Sequence, residues 1–128
     1  MQNLIKDNIS ATLKNIQYIS VNPSKNKKID FSDEIKITEK NENLVKFDIV
    51  RNLSVDLDIA YNLEIVVSLT LFAKDNVDLS KSFTDEFIEK NKDEIAGNVM
   101  NFISALISQI TGSFNGFPIV TPPIYKNA

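Results

Sequence analysis

Three carboxylates, those of Asp56, Asp58 and Glu64, have the types and spacing that could do chemistry in this sequence. All three are predicted on one face of a strand pair, where carboxylates can hold a hard cation or act as general acid and base. Even spacing along a strand keeps side chains apart, however, whereas an active site needs them to converge. We therefore favour a structural interpretation, in which these acids keep the outer sheet face hydrated and discourage pairing between sheet edges.

Composition removes most other routes to catalysis. The chain has no histidine and no cysteine, which are the usual proton carriers and transition-metal ligands, and its three glycines form no phosphate-binding loop. Asp30, Asp33 and Glu34 are close together but lack the glycine and the terminal glutamate of a calcium-binding EF-hand loop. We expect a protein that is not an enzyme and that binds no metal and no cofactor.

Length and charge limit the number of domains and the kinds of partner. Residues 1–128 fit a single domain with one core. The net charge of −3 argues against nucleic acid, because phosphate binding needs a clustered excess of basic side chains. The one basic cluster, Lys25, Lys27 and Lys28, lies among Asn, Ser and Pro residues and is interpreted as a solvated loop.

Up to about residue 73 the sequence alternates apolar and polar residues, as half-buried strands do. A first strand region covers residues 1–21, where the alternation of apolar odd positions is imperfect, and a shorter one covers 29–37. The strongest pattern is a long antiparallel hairpin over 44–73 with one apolar face. We expect its turn at Tyr61-Asn62 and a bulge or bend at Arg51, which interrupts the apolar row.

A helix is predicted over 85–111, with no charge from Ile95 to Ile110. This stretch is too short and too rich in amides and hydroxyls to insert into a membrane. Lys6 and Asp7 interrupt the apolar run that a signal peptide needs, so we expect a cytoplasmic protein. The polar face of the helix lacks charge and suits packing against a second subunit as well as contact with water. Its residues are Asn98, Asn101, Ser104, Ala105 and Ser108.

Residues 112–128 form a proline-rich apolar tail. Gly112 is expected to end the helix, and Pro122-Pro123 fixes an extended backbone that cannot lie inside a sheet. An irregular segment that carries Phe114, Phe117 and Tyr125 either folds back over the core or lines a groove.

Two segments, NVMNFISALISQIT at 98–111 and GFPIVTPPIY at 116–125, carry a family resemblance. A long helix with an Ile-Ser-x-Leu segment, followed by a loop of prolines and aromatic residues, resembles the SecB family of protein-export chaperones. The resemblance implies an α+β fold in which a four-stranded antiparallel sheet packs on one long C-terminal helix. The chain departs from the family in having no second helix after the proline loop. We therefore expect a groove that is more open, or one that a neighbouring subunit closes.

The resemblance also implies a function. SecB-like proteins are ATP-independent holdases that bind non-native polypeptides or preproteins in hydrophobic grooves, assemble as homodimers or homotetramers through their helices, and pass clients to SecA partly through an acidic sheet face. The alternative is a dedicated SecB-like module that protects one partner, such as an antitoxin or a phage protein. The implied groove residues are Phe114, Phe117, Ile119, Val120, Ile124 and Tyr125. The implied acidic face comprises Asp48, Asp56, Asp58 and Glu64.

Overall fold

The computed structural model describes residues 1–24 and 26–126 as one antiparallel sheet with helices on one of its faces. The strands are β1 (Ser10–Val21), β2 (Lys28–Lys40), β3 (Leu44–Asp56) and β4 (Ala60–Phe72), which lie side by side in the order β1-β4-β3-β2. The helices are α1 (Leu79–Ser82), α2 (Asp85–Lys90) and α3 (Lys92–Asn115). The expected fold, a four-stranded antiparallel sheet with one long C-terminal helix, is confirmed. Lys25 of the basic cluster and the last two residues of the predicted tail lie outside the described residues.

The core lies between the sheet and α3. Odd-numbered residues of β3 pair with odd-numbered residues of β4, and directly paired residues of antiparallel strands share a face. Phe47, Ile49 and Leu69 on this face are fully buried, as are Ile103 and Ile107 of α3. Each such side chain stabilises the fold by about 1.5–3 kcal/mol, so the two central strands and one helix face supply most of the hydrophobic stabilisation.

The turn between β3 and β4 lies at residues 57–59, and the turn predicted at Tyr61-Asn62 is wrong. Asp56 pairs with Ala60 across the turn, and Tyr61 is a buried strand residue. Apolar residues continue at odd positions straight through residues 57–59, which is why the period-2 pattern did not reveal the turn.

The expected bulge at Arg51 is also wrong, because β3 keeps an unbroken register with both of its neighbours there. Bulges lie instead at Lys14 in β1 and Thr38 in β2. The extra residue at Lys14 exchanges the two faces of β1, so Ile16 lies on the helix side and Ile19 on the outer side. The alternation of the first strand region is imperfect for this reason.

The helix predicted over 85–111 is interrupted at Asn91, which separates α2 from α3. Helix α2 begins after Thr84, whose hydroxyl oxygen accepts a hydrogen bond from the N–H of Phe87. Helix α3 continues through Gly112, where it was expected to end. It ends before Gly116, whose φ of 82° is the left-handed conformation that favours glycine.

The first and the last described segments of the chain pack onto this framework. Ile5 forms an antiparallel bridge with Ala73, just after β4, and its side chain is buried in the core. The N-terminal segment is therefore attached to the sheet. At the other end, residues 117–126, here called the strap, run back over α3 toward β2. Within the described residues, none of the helices combines the length and the apolarity needed to cross a membrane.

Candidate functional site

A buried ion pair between Arg51 of β3 and Asp33 of β2 lies beneath the strap. Both side chains have an exposure of 0%, and Asp33 accepts hydrogen bonds from the Nε and Nη2 atoms of Arg51 at 2.7 and 2.6 Å. The two residues are direct partners across the strands, so the sheet itself sets this bidentate geometry. The ring centroid of Phe31 lies 4.6 Å from the guanidinium carbon.

The remaining donors of Arg51 hold the strap. Nη1 donates to the carbonyl oxygen of Pro122 at 2.6 Å and to Oγ1 of Thr121 at 3.0 Å, and Nη2 donates to the carbonyl oxygen of Ile124 at 2.7 Å. Asp33 in turn accepts the main-chain N–H of Lys126 at 2.7 Å. All five N–H groups of the guanidinium therefore have hydrogen-bond partners, and three of these N–H groups donate to the strap.

Helix α3 supplies a second set of contacts to the strap. The N–H of Ile119 donates to Oγ1 of buried Thr111 at 2.7 Å, and the hydroxyl of Ser104 donates to the carbonyl oxygen of Thr121. Ile119 and Tyr125 are each 8% exposed and belong to the hydrophobic core. The strap is therefore packed between α3 and β2, as one of the two sequence interpretations of this tail proposed.

Two titratable groups report on the docked strap. Burial raises the pKa of the Tyr125 phenol, and nearby Lys92 opposes that rise. The phenol hydroxyl donates to the carbonyl oxygen of Asp33 at 3.4 Å. A hydrogen bond from the Lys126 ammonium, 3.2 Å away, lowers the pKa of Asp30. The docked strap thus favours a neutral phenol and a charged carboxylate.

The predicted groove residues of the strap lie on two opposite sides of it. Ile119 and Tyr125 are turned into the core, whereas Val120 and Ile124 are 80% and 66% exposed. The structure therefore does not bring these four side chains together in one groove. The two inward residues anchor the strap, and the two outward residues are available to a partner.

Phe117, at the start of the strap, lines a cavity of about 430 Å³ at the turn end of β3 and β4. The lining is largely apolar and consists of Lys27, Val55, Leu57, Asp58, Ile59, Tyr61, Phe117 and Ile119. Ile59 and Phe117 are about half exposed at its mouth. A cavity of this size and character can take an apolar side chain of a bound polypeptide.

A second apolar surface runs along edge strand β1, on the flank of α3 away from the strap. Leu13 and Ile16 lie on the helix side of β1 but stay 40% and 41% exposed, because α3 lies over the central strands. Phe102 is 48% exposed. Two residues separate Phe102 from Ser104 along the helix, which is a rotation of about 200°. Because Ser104 faces the strap, Phe102 faces the opposite flank of α3.

Stacked aromatic rings close one end of this surface. The rings of Tyr18 and Phe114 stack with centroids 4.7 Å apart, and Tyr18 also stacks on Tyr61 at 4.8 Å. Phe114, a predicted groove residue, thus lies here, apart from the strap residues. We call this surface the strand-1 groove; its residues are Leu13, Ile16, Tyr18, Phe102, Leu106, Ile110 and Phe114. Because β1 is a sheet edge, its free main-chain groups can pair with another extended chain.

The helix residues predicted for an oligomer interface divide between two faces of α3. Asn98, Asn101 and Ala105 are exposed and share the outward face. Ser104 and Ser108 are half-buried, and the Ser104 hydroxyl is already bonded to the strap. The first three are therefore the most accessible to another subunit.

The predicted acidic face is less uniform than the sequence indicated. Asp48, Asp56 and Glu64 lie on the outer face, but Asp58 lies in the β3–β4 turn, beside the cavity of Phe117. Asp48 is 2.6 Å from the ammonium of Lys14, and Asp56 accepts the N–H of Ser24 at 2.8 Å. These carboxylates do not converge. In residues 1–24 and 26–126, no group of three or more acidic side chains could hold a metal ion.

Sequence reasoning missed Asp33, Arg51, Leu13 and Ile16. A signal for the first two was present, because opposite charges interrupt the apolar rows of two neighbouring strand patterns. Leu13 and Ile16 could not be placed on one face without knowing that a bulge at Lys14 separates them.

Comparisons with known proteins identify the fold. No protein-family model and no curated protein matches the chain by sequence. Among solved structures, the chain is similar to a SecB-like chaperone of Mycobacterium tuberculosis in complex with a ChAD peptide from the HigA1 antitoxin. The TM-score is 0.66 at 15% identity, over 92% of this chain and 84% of that chain. A protein of unknown function from Streptococcus agalactiae matches with a TM-score of 0.50 at 13% identity, over 90% of this chain and 96% of that one. The chain has the SecB-like fold that its motifs indicated.

Proposed function

We propose that this chain is an ATP-independent holdase that binds non-native polypeptides along the strand-1 groove. The observation that carries the proposal is the open apolar surface of Leu13, Ile16 and Phe102, which nothing in residues 1–24 and 26–126 covers. A contiguous apolar surface of this kind on a folded chain is typical of a binding site for another molecule. Its SecB-like fold, shared with a chaperone solved in complex with a peptide, supports the same function.

The groove suits an extended chain of variable sequence. Its walls are aliphatic and aromatic side chains, which bind apolar groups without directional requirements. Beside them, the free edge of β1 offers main-chain hydrogen bonds that every polypeptide can accept and donate. Val120 and Ile124, exposed on the strap, provide further apolar contacts on the other side of α3.

Two substitutions on one strand test the site. Ile16→Asp places a charge in the strand-1 groove, and Ile19→Asp is its matched control, because Ile19 is 48% exposed on the outer face of the same strand. We expect the wild type and Ile19→Asp to suppress aggregation of a diluted, denatured client at stoichiometric ratio, and Ile16→Asp to lose most of this suppression. Equal activity of the two variants would contradict the site, and an inactive wild type would contradict the function.

The holdase is proposed to act as a homodimer or homotetramer through the outward face of α3. Asn98, Asn101 and Ala105 form an uncharged strip beside half-exposed Phe102. Small and amide side chains permit close approach of a second helix.

A second candidate is a dedicated module that protects one partner, such as an antitoxin or a phage protein. The observation that favours it is that the similar SecB-like chaperone was solved with a peptide from an antitoxin. This candidate predicts tight binding to a single protein encoded beside this chain, with weak suppression of unrelated clients. Calorimetric titration of the neighbouring gene products, set against the aggregation assay, decides between the two.

Preprotein export through SecA and a cytoplasmic location stay predictions. Two of the acidic residues, Asp48 and Asp56, already hold Lys14 and Ser24, so Glu64 is the least engaged carboxylate of the predicted outer face. If SecA is a partner, Glu64→Gln should weaken its binding at low salt, and Lys36→Gln should not. Unchanged binding in the first variant would remove this face from the proposal.

A further inference from the structure

The strap is held largely through its main chain, at one charged pair. Arg51 donates to the carbonyl oxygens of Pro122 and Ile124, at 2.6 and 2.7 Å, and Asp33 accepts the N–H of Lys126 at 2.7 Å. Carbonyl and amide groups recur along every polypeptide. These three hydrogen bonds therefore do not depend on which side chains the bound segment carries.

The charged pair stays neutralised when the strap is absent. Asp33 and Arg51 bind each other through two hydrogen bonds of their own, at 2.7 and 2.6 Å. Departure of the strap would uncover this pair to water, which can replace the lost carbonyl and amide partners, and would leave no buried charge alone. The site beneath the strap can thus be emptied and filled again.

Side chains of the strap add a spacing requirement to this main-chain recognition. Ile119 and Tyr125 are the buried anchors, and between them the Thr121 hydroxyl accepts from Arg51 at 3.0 Å. An apolar residue, a hydroxyl two positions later and an aromatic residue four positions after that would make the same contacts.

We propose that Asp33 and Arg51 form a main-chain clamp for an extended polypeptide segment, which the strap occupies in cis and a client segment of the same spacing occupies in exchange. This proposal rests on the proposed function, because the clamp would bind a second segment of the client that the strand-1 groove binds. The clamp lies on the opposite flank of α3 from the strand-1 groove.

A labelled peptide of residues 116–126, GFPIVTPPIYK, contains the strap and is the probe, and its binding to this chain is measured by fluorescence anisotropy. The Tyr125→Ala variant loses one anchor of the cis strap, so the clamp is empty more often. We expect this variant to bind the peptide about tenfold more tightly than the wild type, because apparent affinity scales with the fraction of open sites. Ile19→Ala is the control, since the Ile19 side chain is 48% exposed on the outer face of β1, away from the strap, and its affinity should equal that of the wild type.

Two modified peptides test main-chain recognition without changing the protein. Methylation of the nitrogen that matches Lys126 removes the hydrogen bond to Asp33 and should weaken binding about tenfold or more, because hydrogen bonds to charged groups are the strong ones. Replacement of the residue that matches Ile124 by Ala should leave binding unchanged. Equal affinity of the methylated and unmodified peptides would overturn the clamp.

Further outcomes separate this proposal from the proposed function. If Tyr125→Ala binds the peptide no better than the wild type but still suppresses client aggregation, strap exchange is wrong and the holdase stands. If Ile16→Asp abolishes peptide binding, the peptide occupies the strand-1 groove and the clamp is wrong. Should Tyr125→Ala fail to fold by circular dichroism, Thr121→Val, which loses only a hydroxyl, takes its place with the same expected direction.

Discussion

At the scale of single residues, Arg51 and Asp33 connect the sheet to the strap. Each interrupts the apolar row of its strand, and the register pairs them directly on the helix side. Opposite charges at matching positions of two adjacent rows are a signal for a cross-strand ion pair. The match depends on register, however, and the register between β2 and β3 is shifted by the bulge at Thr38, which the sequence patterns did not reveal. The residues were therefore visible in the sequence, but their contact was not.

Arg51→Met should destabilise the protein by about 3–5 kcal/mol, because it leaves the buried Asp33 carboxylate without its cation. Urea unfolding followed by circular dichroism measures this change. Lys36→Met is the control; it breaks an ion pair with Glu34 whose side chains are more than half exposed, and it should change stability by less than about 1 kcal/mol.

Adding Asp33→Leu to Arg51→Met should recover part of the loss, since an apolar pair often replaces a buried ion pair at little cost. The recovery should be incomplete, because the carbonyl oxygens of Pro122 and Ile124 lose their donors. A double variant no more stable than Arg51→Met would contradict the assignment of the loss to an unpaired carboxylate.

Tyr125 should make the protein less stable at alkaline pH. Burial raises the pKa of its phenol above the ordinary value of 10.0. A group whose pKa is raised by folding contributes stability that is fully present below its unfolded pKa and is lost as the pH rises through the folded pKa. Relative to Tyr125→Phe, the wild type should therefore lose stability as the pH rises above roughly 10, the ordinary pKa of a phenol. Parallel pH profiles of the two proteins in urea unfolding would contradict a buried phenol.

At the scale of elements, the central strands were the most predictable part of the fold, and the connections were the least. The apolar faces of β3 and β4 follow directly from their alternation, since a period of two fixes which side chains share a face. The turn could also have been found by parity. The apolar residues of both strands are odd-numbered, so they share one face only if odd residues pair with odd residues, as Val55 and Tyr61 do. A two-residue turn at Tyr61-Asn62 would have paired odd residues with even ones. The bulges at Lys14 and Thr38 have no comparable signal, so the faces of β1 and the strand-1 groove could not be derived.

Two glycines near the end of α3 give opposite predictions: Gly112, which was expected to end the helix, and Gly116, which caps it. Gly112 lies within α3, where an added Cβ would meet Pro118 at 3.6 Å, an ordinary contact. Gly112→Ala should therefore stabilise the protein by about 0.5–1 kcal/mol through helix propensity. Gly116 has a φ of 82°, so Gly116→Ala should cost about 1 kcal/mol. Thermal unfolding of the two variants measures both effects, and a destabilised Gly112→Ala would show that the strap packs more tightly on α3 than the structure indicates.

At the scale of the whole molecule, α3 lies between two different surfaces. One flank holds the strap, and the opposite flank borders the strand-1 groove. The outward face, which carries Asn98, Asn101 and Ala105, has neither role. The single groove that the tail residues were expected to form thus becomes two surfaces on either side of one helix, because the strap turns Ile119 and Tyr125 inward.

This separation makes assembly and client binding independently testable. If copies meet through the outward face of α3, light scattering should give a multiple of the 14.4 kDa chain mass for the wild type. Ala105→Glu should shift this mass toward 14.4 kDa, because it places a charge where a small side chain of the outward face would be buried. Val120→Glu is the matched control, since Val120 is 80% exposed on the strap, and it should keep the wild-type mass. A wild type that is monomeric with and without a denatured client would contradict the oligomer. An unchanged mass in Ala105→Glu would instead show that the interface does not use this face.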